Sequence, residues 1–188
     1  MMSRVVFDAC VLYSAPLRGF LLNLATDKLL EPFWSEEIQN EWTRSLLKNR
    51  PDLERENLEL TCRKMDLRFP NGLVRGYETL VHTLQLPDPN DRHVLAVAIH
   101  SQSSCIVTFN LSDFPTTVLE SYKIEAMSPD DFVSRLIQQS PQLVLRATWK
   151  HRSDLTRPPK TARDYLATLA KQKLPKTVAF LREHESDI

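Results

Sequence analysis

The sequence is poor in glycine and in long apolar runs. It holds 3 glycines but 12 prolines in 188 residues, a balance typical of helices separated by proline rather than of a β-sandwich. No stretch approaches the roughly 18 apolar residues that a membrane-spanning helix needs. The apolar segment near the N-terminus is interrupted by Asp8, which is unlike a signal peptide. We therefore expect a cytoplasmic protein without a membrane partner.

Cysteine is also scarce. Cys10, Cys62 and Cys105 are odd in number and far apart, so they fit neither a disulfide framework nor a zinc-ligand spacing. We expect buried thiols in a reducing compartment.

An excess of one charge is missing as well, because 24 basic side chains balance 24 acidic ones. The distribution is uneven: residues 1–150 carry 16 basic and 19 acidic side chains, whereas residues 151–188 carry 8 and 5. A globally basic nucleic-acid binder is therefore excluded. Contact with a polyanion needs a local basic patch, or metal ions held by acidic groups.

What the sequence does contain is an alternation of short apolar runs with amphipathic segments. Strand patterns cover residues 4–7, 105–109 and 122–127. Helix patterns cover residues 17–25, 35–47, 52–68, 78–84, 91–101 and 128–138. Strands that alternate with helices favour a parallel sheet and an α/β fold. Beyond a proline-containing break at residues 157–161, two short helices are predicted at residues 162–170 and 176–183.

Acidic residues lie beside the predicted strands. Asp8 ends the first strand, Asp113 follows the second, and Asp91 opens the helix that precedes the second strand. The functional crevice of a parallel α/β sheet lies beyond the carboxyl ends of its strands. Clustered carboxylates raise one another's pKa unless a cation lies between them, and Mg²⁺ or Mn²⁺ prefers such oxygen ligands. The pattern favours a metal site that activates water against a phosphodiester.

Each of these residues also has a structural interpretation. Asp8 could cap the turn after its strand, Asp91 could be only a helix N-cap, and Asp113 could be a turn-forming residue. Glu41 lies four residues after Glu37 on a predicted helix, where acidic side chains are usually only solvated.

Four segments together resemble the PIN-domain family, and more narrowly its VapC-like branch of toxins from bacterial toxin–antitoxin pairs. They read VVFDACVLYSAPLR, WSEEIQNEW, LPDPNDRHVLAVAI and IVTFNLSDFP, in the family's order, between residues 5 and 136. The resemblance implies a three-layer α/β/α fold with a parallel sheet, a Mg²⁺ or Mn²⁺ site and endonucleolytic attack on RNA. It also implies a cognate antitoxin and a homodimer. We expect a PIN-like nuclease domain at residues 1–140 and a C-terminal helical extension, basic in its first part, at residues 141–188.

Carried over position by position, the family's acidic residues fall on Asp8, Glu41 and Asp91, which we expect to hold the metal ion, Glu41 directly or through water. Where many members have Thr-x-Asp, this chain has Thr108 and Asn110. Asp113 is then the candidate for the missing carboxylate and for a catalytic role. Thr108 and Asn110 would position water or an outer ligand.

Several alternatives stay open at this point. Asp88 competes with Asp91, although the apolar spacing that follows Asp91 fits the family better. His93 could bind phosphate or move a proton, but we expect a packed surface histidine.

The overall function has alternatives too. An aspartyl-phosphate phosphatase would need a second Asp where Cys10 stands, which disfavours it. A catalytically weak or inactive module that binds RNA or protein remains the alternative to a nuclease. Four basic residues of the extension could contact phosphates or only solubilise it, namely Arg152, Arg157, Lys160 and Arg163.

Overall fold

The computed structural model describes residues 3–188. Its contacts divide them into two compact units. The first, here called the sheet unit, holds residues 3–13 and 31–127, and the second, the helical unit, holds residues 14–30 and 128–188. The domain boundary expected at residue 140 stays a prediction.

The sheet has four strands in the order β2-β1-β3-β4. All of its residues except Leu30 belong to the sheet unit. The strands are β1 (Ser3–Phe7), β2 (Leu30–Phe33), β3 (Cys105–Val107) and β4 (Glu125–Met127). Strand β3 pairs in parallel with both β1 and β4. The predicted α/β fold with a parallel sheet is confirmed.

Helices connect and follow the strands. In chain order they are α1 (Ala9–Leu12), α2 (Ala15–Thr26), α3 (Glu36–Asn49), α4 (Arg55–Arg68), α5 (Glu78–Val81), α6 (Arg92–His100), α7 (Thr116–Leu119), α8 (Pro129–Gln139), α9 (Pro141–Asp154), α10 (Ala162–Ala170) and α11 (Pro175–Glu183). None of these helices, within residues 3–188, has the length and apolar character needed to cross a bilayer.

The two central strands explain where the polar residues emerge. The last three residues of β1 and all three of β3 are buried, as expected of parallel strands. Their register pairs Phe7 with Val107. The next residue of each chain segment, Asp8 and Thr108, therefore leaves the sheet at the same edge.

Strand β2, helix α9 and the short helices α1 and α7 were not predicted from the sequence as separate elements. Strand β2 was missed because Pro32 interrupts its short apolar run, but proline is tolerated on an edge strand, and β2 lies at the edge of the sheet. Helix α9 was missed although Pro141 lies in its first turn and Val144, Leu145 and Ala147 are buried on it. Its apolar residues are mixed with exposed polar ones, so the periodicity was weak.

The helical unit consists of α2 and α8–α11. In it α2 packs against α9, and α8 packs against α11. The helices predicted at residues 162–170 and 176–183 are present as α10 and α11. A buried carboxylate, Asp130 of α8, accepts hydrogen bonds from the backbone N–H groups of Lys176 and Thr177, both at 2.9 Å, and from the Thr177 hydroxyl at 2.8 Å. These bonds satisfy the free N–H groups in the first turn of α11.

Candidate metal-binding site

Asp8 lies at the carboxyl end of β1 and is only 4% exposed. Its backbone N–H donates to the Val107 carbonyl at 3.1 Å, which ties it to β3. Asp8 occupies the N-cap position of α1, but its side chain makes no capping hydrogen bond. The carboxylate is therefore buried for a reason other than capping.

Both hydrogen bonds to the Asp8 side chain use one oxygen, Oδ2. The Thr108 hydroxyl donates to it at 2.6 Å and the Cys10 thiol at 3.1 Å. Burial, followed by the Asp8 charge, raises the pKa of Cys10 to about 12, so the thiol keeps its proton. Oδ1 receives no hydrogen bond from the described residues, which leaves it available to a ligand.

The pKa of the Asp91 carboxyl is raised by burial and by neighbouring carboxylates. Burial first, and then the charges of Asp8, Asp113 and Asp88, raise its pKa to about 6, while His93 opposes the shift. Like charges must lie close to have this effect. Asp91 occupies the N-cap position of α6 without a side-chain capping bond. Asp8, Asp91 and Asp113 are therefore near enough to interact electrostatically, and their common role at a metal site stays a prediction.

The neighbouring acid Asp88 has a structural use. Its carboxylate accepts a hydrogen bond from the Asn90 N–H at 2.8 Å and caps a short 3₁₀ turn. This difference supports the choice of Asp91 over Asp88.

Thr108 and Asn110 stand differently towards the cluster. Thr108 is fully buried and its hydroxyl also accepts a bond from the Asn110 N–H at 3.0 Å. The Asn110 side chain is exposed, and Asp113 lies half-buried in the 3₁₀ turn that follows. The exposed Asn110 side chain can contact an incoming molecule, whereas the buried Thr108 hydroxyl is hydrogen-bonded to Asp8 and to the Asn110 N–H.

Glu41 reaches the cluster through a histidine. Its Oε1 lies 3.1 Å from Nε2 of His93. His93 is 3% exposed, so the expectation of a surface histidine was wrong. Burial lowers the pKa of His93, but the hydrogen bond to Glu41 and the charges of Glu41, Glu37 and Asp8 outweigh it and raise the pKa above its ordinary value.

Two further residues at this site were missed in the sequence. Glu37 Oε2 lies 3.7 Å from His93 Nδ1, and it accepts a hydrogen bond from the Tyr77 hydroxyl at 3.2 Å. The spacing of Glu37 and Glu41 on one helix face was visible, but it indicated solvated residues. Nothing in the sequence pointed to Tyr77.

The side chains of this site can be compared with those that usually bind a divalent cation. Within residues 3–188, no group of three or more His, Cys, Asp or Glu side chains is placed so that it could hold a metal ion. Mg²⁺ commonly binds through only one or two carboxylates and keeps several waters. Oδ1 of Asp8, which accepts no hydrogen bond from the described residues, and the Asp91 carboxyl with its raised pKa fit that mode of binding. Which residues ligate a metal stays a prediction.

With the geometry described, comparison with known proteins identifies the class. Residues 4–112, more than half of the chain, match the PIN domain family, and the chain belongs to that family. Residues 129–183 match a second family, described as the VapC50 C-terminal domain. The three-layer α/β/α fold with C-terminal helices and the resemblance to VapC-like proteins are confirmed.

One relative carries a descriptive name. The chain is 43% identical over 68 residues to a protein of Mycobacterium tuberculosis (strain ATCC 25618 / H37Rv) named "Putative ribonuclease VapC50". The match covers 34% of this chain and 40% of that protein. No solved structure matches the chain.

Proposed function

We propose that this chain is a metal-dependent endoribonuclease that hydrolyses RNA phosphodiester bonds, and that it is the toxin of a toxin–antitoxin pair. The observation that carries the proposal is the buried Asp8 carboxylate at the carboxyl end of β1, whose two hydrogen bonds both use Oδ2. Burial and the charges of Asp8 and Asp113, which raise the pKa of Asp91, support it. Perturbed carboxylates of this kind cluster at functional sites. The name of the VapC50 relative supports RNA as the substrate class.

Asp8 and Asp91 would hold Mg²⁺ or Mn²⁺, with Glu41 as a ligand directly or through water. When bound, the cation supplies Lewis-acid stabilisation of the phosphodiester and lowers the pKa of water. The Thr108 hydroxyl, 2.6 Å from Asp8 Oδ2, would hold that carboxylate in place and leave Oδ1 for the cation. Asp113 adds negative charge, and the exposed amide of Asn110 positions water or a phosphate oxygen.

The basic residues of the helical unit divide into two groups. Arg152 donates to the Lys160 carbonyl at 2.9 Å, and Lys160 donates to the Thr168 hydroxyl at 2.5 Å, so both stabilise the unit itself. Arg157 and Arg163 are exposed. We propose that these two supply phosphate contacts.

Two surface features of the sheet unit support an antitoxin and a second copy of this chain as partners. A cavity of about 390 Å³ beside Glu41 is also lined by Glu36, Glu37 and Glu78, against one basic residue, Arg44. This excess of acidic groups favours a basic segment of an antitoxin. Leu60 and Leu67 are exposed on α4 and lie two turns apart, with Arg63 and Lys64 between them. We propose that these two leucines take part in a homodimer contact. We propose that the protein acts in the cytoplasm, where RNA is available as a substrate.

The test is RNA cleavage with and without Mg²⁺ or Mn²⁺, comparing wild type with Asp8→Asn. We expect the substitution to lower the rate about 10³-fold, since it removes a charged ligand worth several kcal/mol of transition-state stabilisation. Asp52→Asn is the matched control, because Asp52 is exposed and pairs only with Arg50; its rate should equal that of wild type. Cleavage that persists in EDTA or in Asp8→Asn would refute the proposal.

A binding module without catalysis is the second candidate, favoured by Asn110 in the place of a carboxylate. It predicts RNA retention without cleavage in wild type and Asp8→Asn alike. Gel-shift and cleavage measurements on the same RNA separate the two functions.

A further inference from the structure

His93 is a buried ring at the start of α6 whose place is not explained by packing alone. Buried polar groups in proteins are almost always hydrogen-bonded, and His93 has a carboxylate on each side. Nε2 lies 3.1 Å from Glu41 Oε1, and Nδ1 lies 3.7 Å from Glu37 Oε2. The imidazole therefore sits between two acidic residues of α3 that are one helical turn apart.

The contact to Glu41 has a defined direction. An ionised carboxylate only accepts hydrogen bonds, so Nε2 carries the proton and donates, whether the ring is neutral or charged. The bond uses Oε1 and leaves Oε2 free. The cavity beside Glu41 is also lined by Glu36, Glu37 and Glu78, with Arg44 as its basic residue. The His93 N–H holds Glu41 in place against the repulsion of these three like charges.

The second side of the ring is held less tightly. At 3.7 Å the Nδ1–Glu37 contact is an ion-pair distance rather than a hydrogen bond. Glu37 is itself anchored by the Tyr77 hydroxyl at 3.2 Å. Tyr77, Glu37, His93 and Glu41 thus form a continuous chain of polar contacts that ends at a candidate metal ligand.

We propose that His93 is a positioning residue, which orients Glu41 towards the metal site by donating a hydrogen bond from Nε2 to Oε1. The inference rests on the proposed function, because it assigns a role within the same site. Residues that orient metal ligands typically change metal affinity about 10- to 100-fold when replaced. His93 itself touches neither metal nor substrate.

The test measures Mn²⁺ binding alone, by titration calorimetry without RNA, in three variants. His93→Gln places an amide N–H near the position of Nε2, whereas His93→Asn is too short to do so and His93→Leu has no donor. We expect both His93→Asn and His93→Leu to bind Mn²⁺ at least about 10-fold more weakly, with His93→Gln within a few fold of wild type. Using two variants that lack the bond, one polar and one apolar, guards against a folding defect in either, which circular dichroism detects.

A second measurement asks whether His93 acts through Glu41. In a Glu41→Gln background, His93→Leu should cause no further loss of Mn²⁺ affinity, because the group it orients is already altered. A full additional loss in that background overturns the proposal, as does equal Mn²⁺ affinity in wild type, His93→Asn and His93→Leu. Loss in all three single variants, Gln included, also overturns it, since the ring would then matter for packing only.

Failure of the proposed function has a different signature. If wild type neither binds Mn²⁺ nor cleaves RNA, the nuclease assignment and the role of His93 are rejected together. If wild type does both and the His93 variants match it, only the positioning role is rejected.

Discussion

Each unit of the molecule buries one aspartate and one histidine, and the pairs are used in opposite ways. Asp8 of the sheet unit and Asp130 of the helical unit are about equally buried, at 4% and 5% exposure. Asp130 accepts three hydrogen bonds, two from backbone N–H groups of α11. Asp8 accepts bonds at only one oxygen and shares its surroundings with other acids.

The histidines differ in the same way. His93 has two glutamates beside it, which raise its pKa despite burial. Burial lowers the pKa of His151 to about 4, against a weaker opposing effect of Asp154. His151 Nδ1 lies 2.8 Å from the buried Tyr165 hydroxyl. Burial of a charged residue type is therefore no sign of function by itself. In the helical unit the buried groups are hydrogen-bonded by neutral groups, whereas in the sheet unit further acidic side chains lie nearby.

The largest expected effect on stability comes from replacing Asp130, and a much smaller effect is expected from replacing Asp8. Asp130→Ala leaves the first N–H groups of α11 buried without an acceptor and should destabilise the protein by about 3 kcal/mol. The free energy of unfolding of Asp8→Asn should lie within about 1 kcal/mol of the wild-type value, because an amide oxygen can still accept hydrogen bonds from Thr108 and Cys10. Urea denaturation at pH 7.5 measures both.

Asp131→Ala is the control for this comparison. Asp131 neighbours Asp130, but its side chain is 43% exposed, and it accepts hydrogen bonds from the Lys176 ammonium and the Ser128 hydroxyl. A change of no more than about 1 kcal/mol is expected. If Asp8→Asn destabilised the protein as much as Asp130→Ala, the contrast between the two aspartates would be lost.

A pH dependence should follow from His151. Its folded pKa of about 4 lies below the ordinary value of 6.5, so the unfolded chain binds the proton more readily. The stability from burying the neutral ring is therefore complete above pH 6.5 and is lost as the pH falls towards 4. Between pH 7.5 and pH 5 the loss should be about 2 kcal/mol.

The measurement compares urea midpoints of wild type and His151→Gln at both pH values. The variant cannot titrate at this position, so its midpoint should fall less on acidification. Parallel pH profiles of the two proteins would show that His151 does not carry the effect.

The smallest effect concerns the space around the same ring. A Cβ atom added at Gly19 of α2 would lie 2.8 Å from His151 Nε2, and the ring is held by Tyr165. Gly19→Ala should therefore destabilise the protein by about 1 kcal/mol, although alanine normally favours a helix interior over glycine. In a His151→Ala background the same change should become stabilising, and thermal unfolding of the double-mutant cycle tests this. Equal effects in both backgrounds would exclude the clash.

Much of the fold could be predicted because its signals are local. The apolar runs that became β1 and β3, and the capped segments that became α3, α8 and α10, each contain their own start and stop residues. Strand β2 carried Pro32, and α9 had a weak periodicity, so both depended on tertiary packing that no local pattern reports.

The site divides along the same line. The sequence by itself determined which carboxylates are candidates, because Asp8 and Asp113 follow two parallel strands and Asp91 precedes the helix that leads to the second. Only the tertiary structure decided how each is used: that Asp88 caps a turn, that Asp91 feels its neighbours, and that His93 is buried against Glu41. The physical reason is that hydrogen bonding and electrostatic shifts depend on distances of a few ångströms between segments far apart in the chain, which residue types and spacing do not encode.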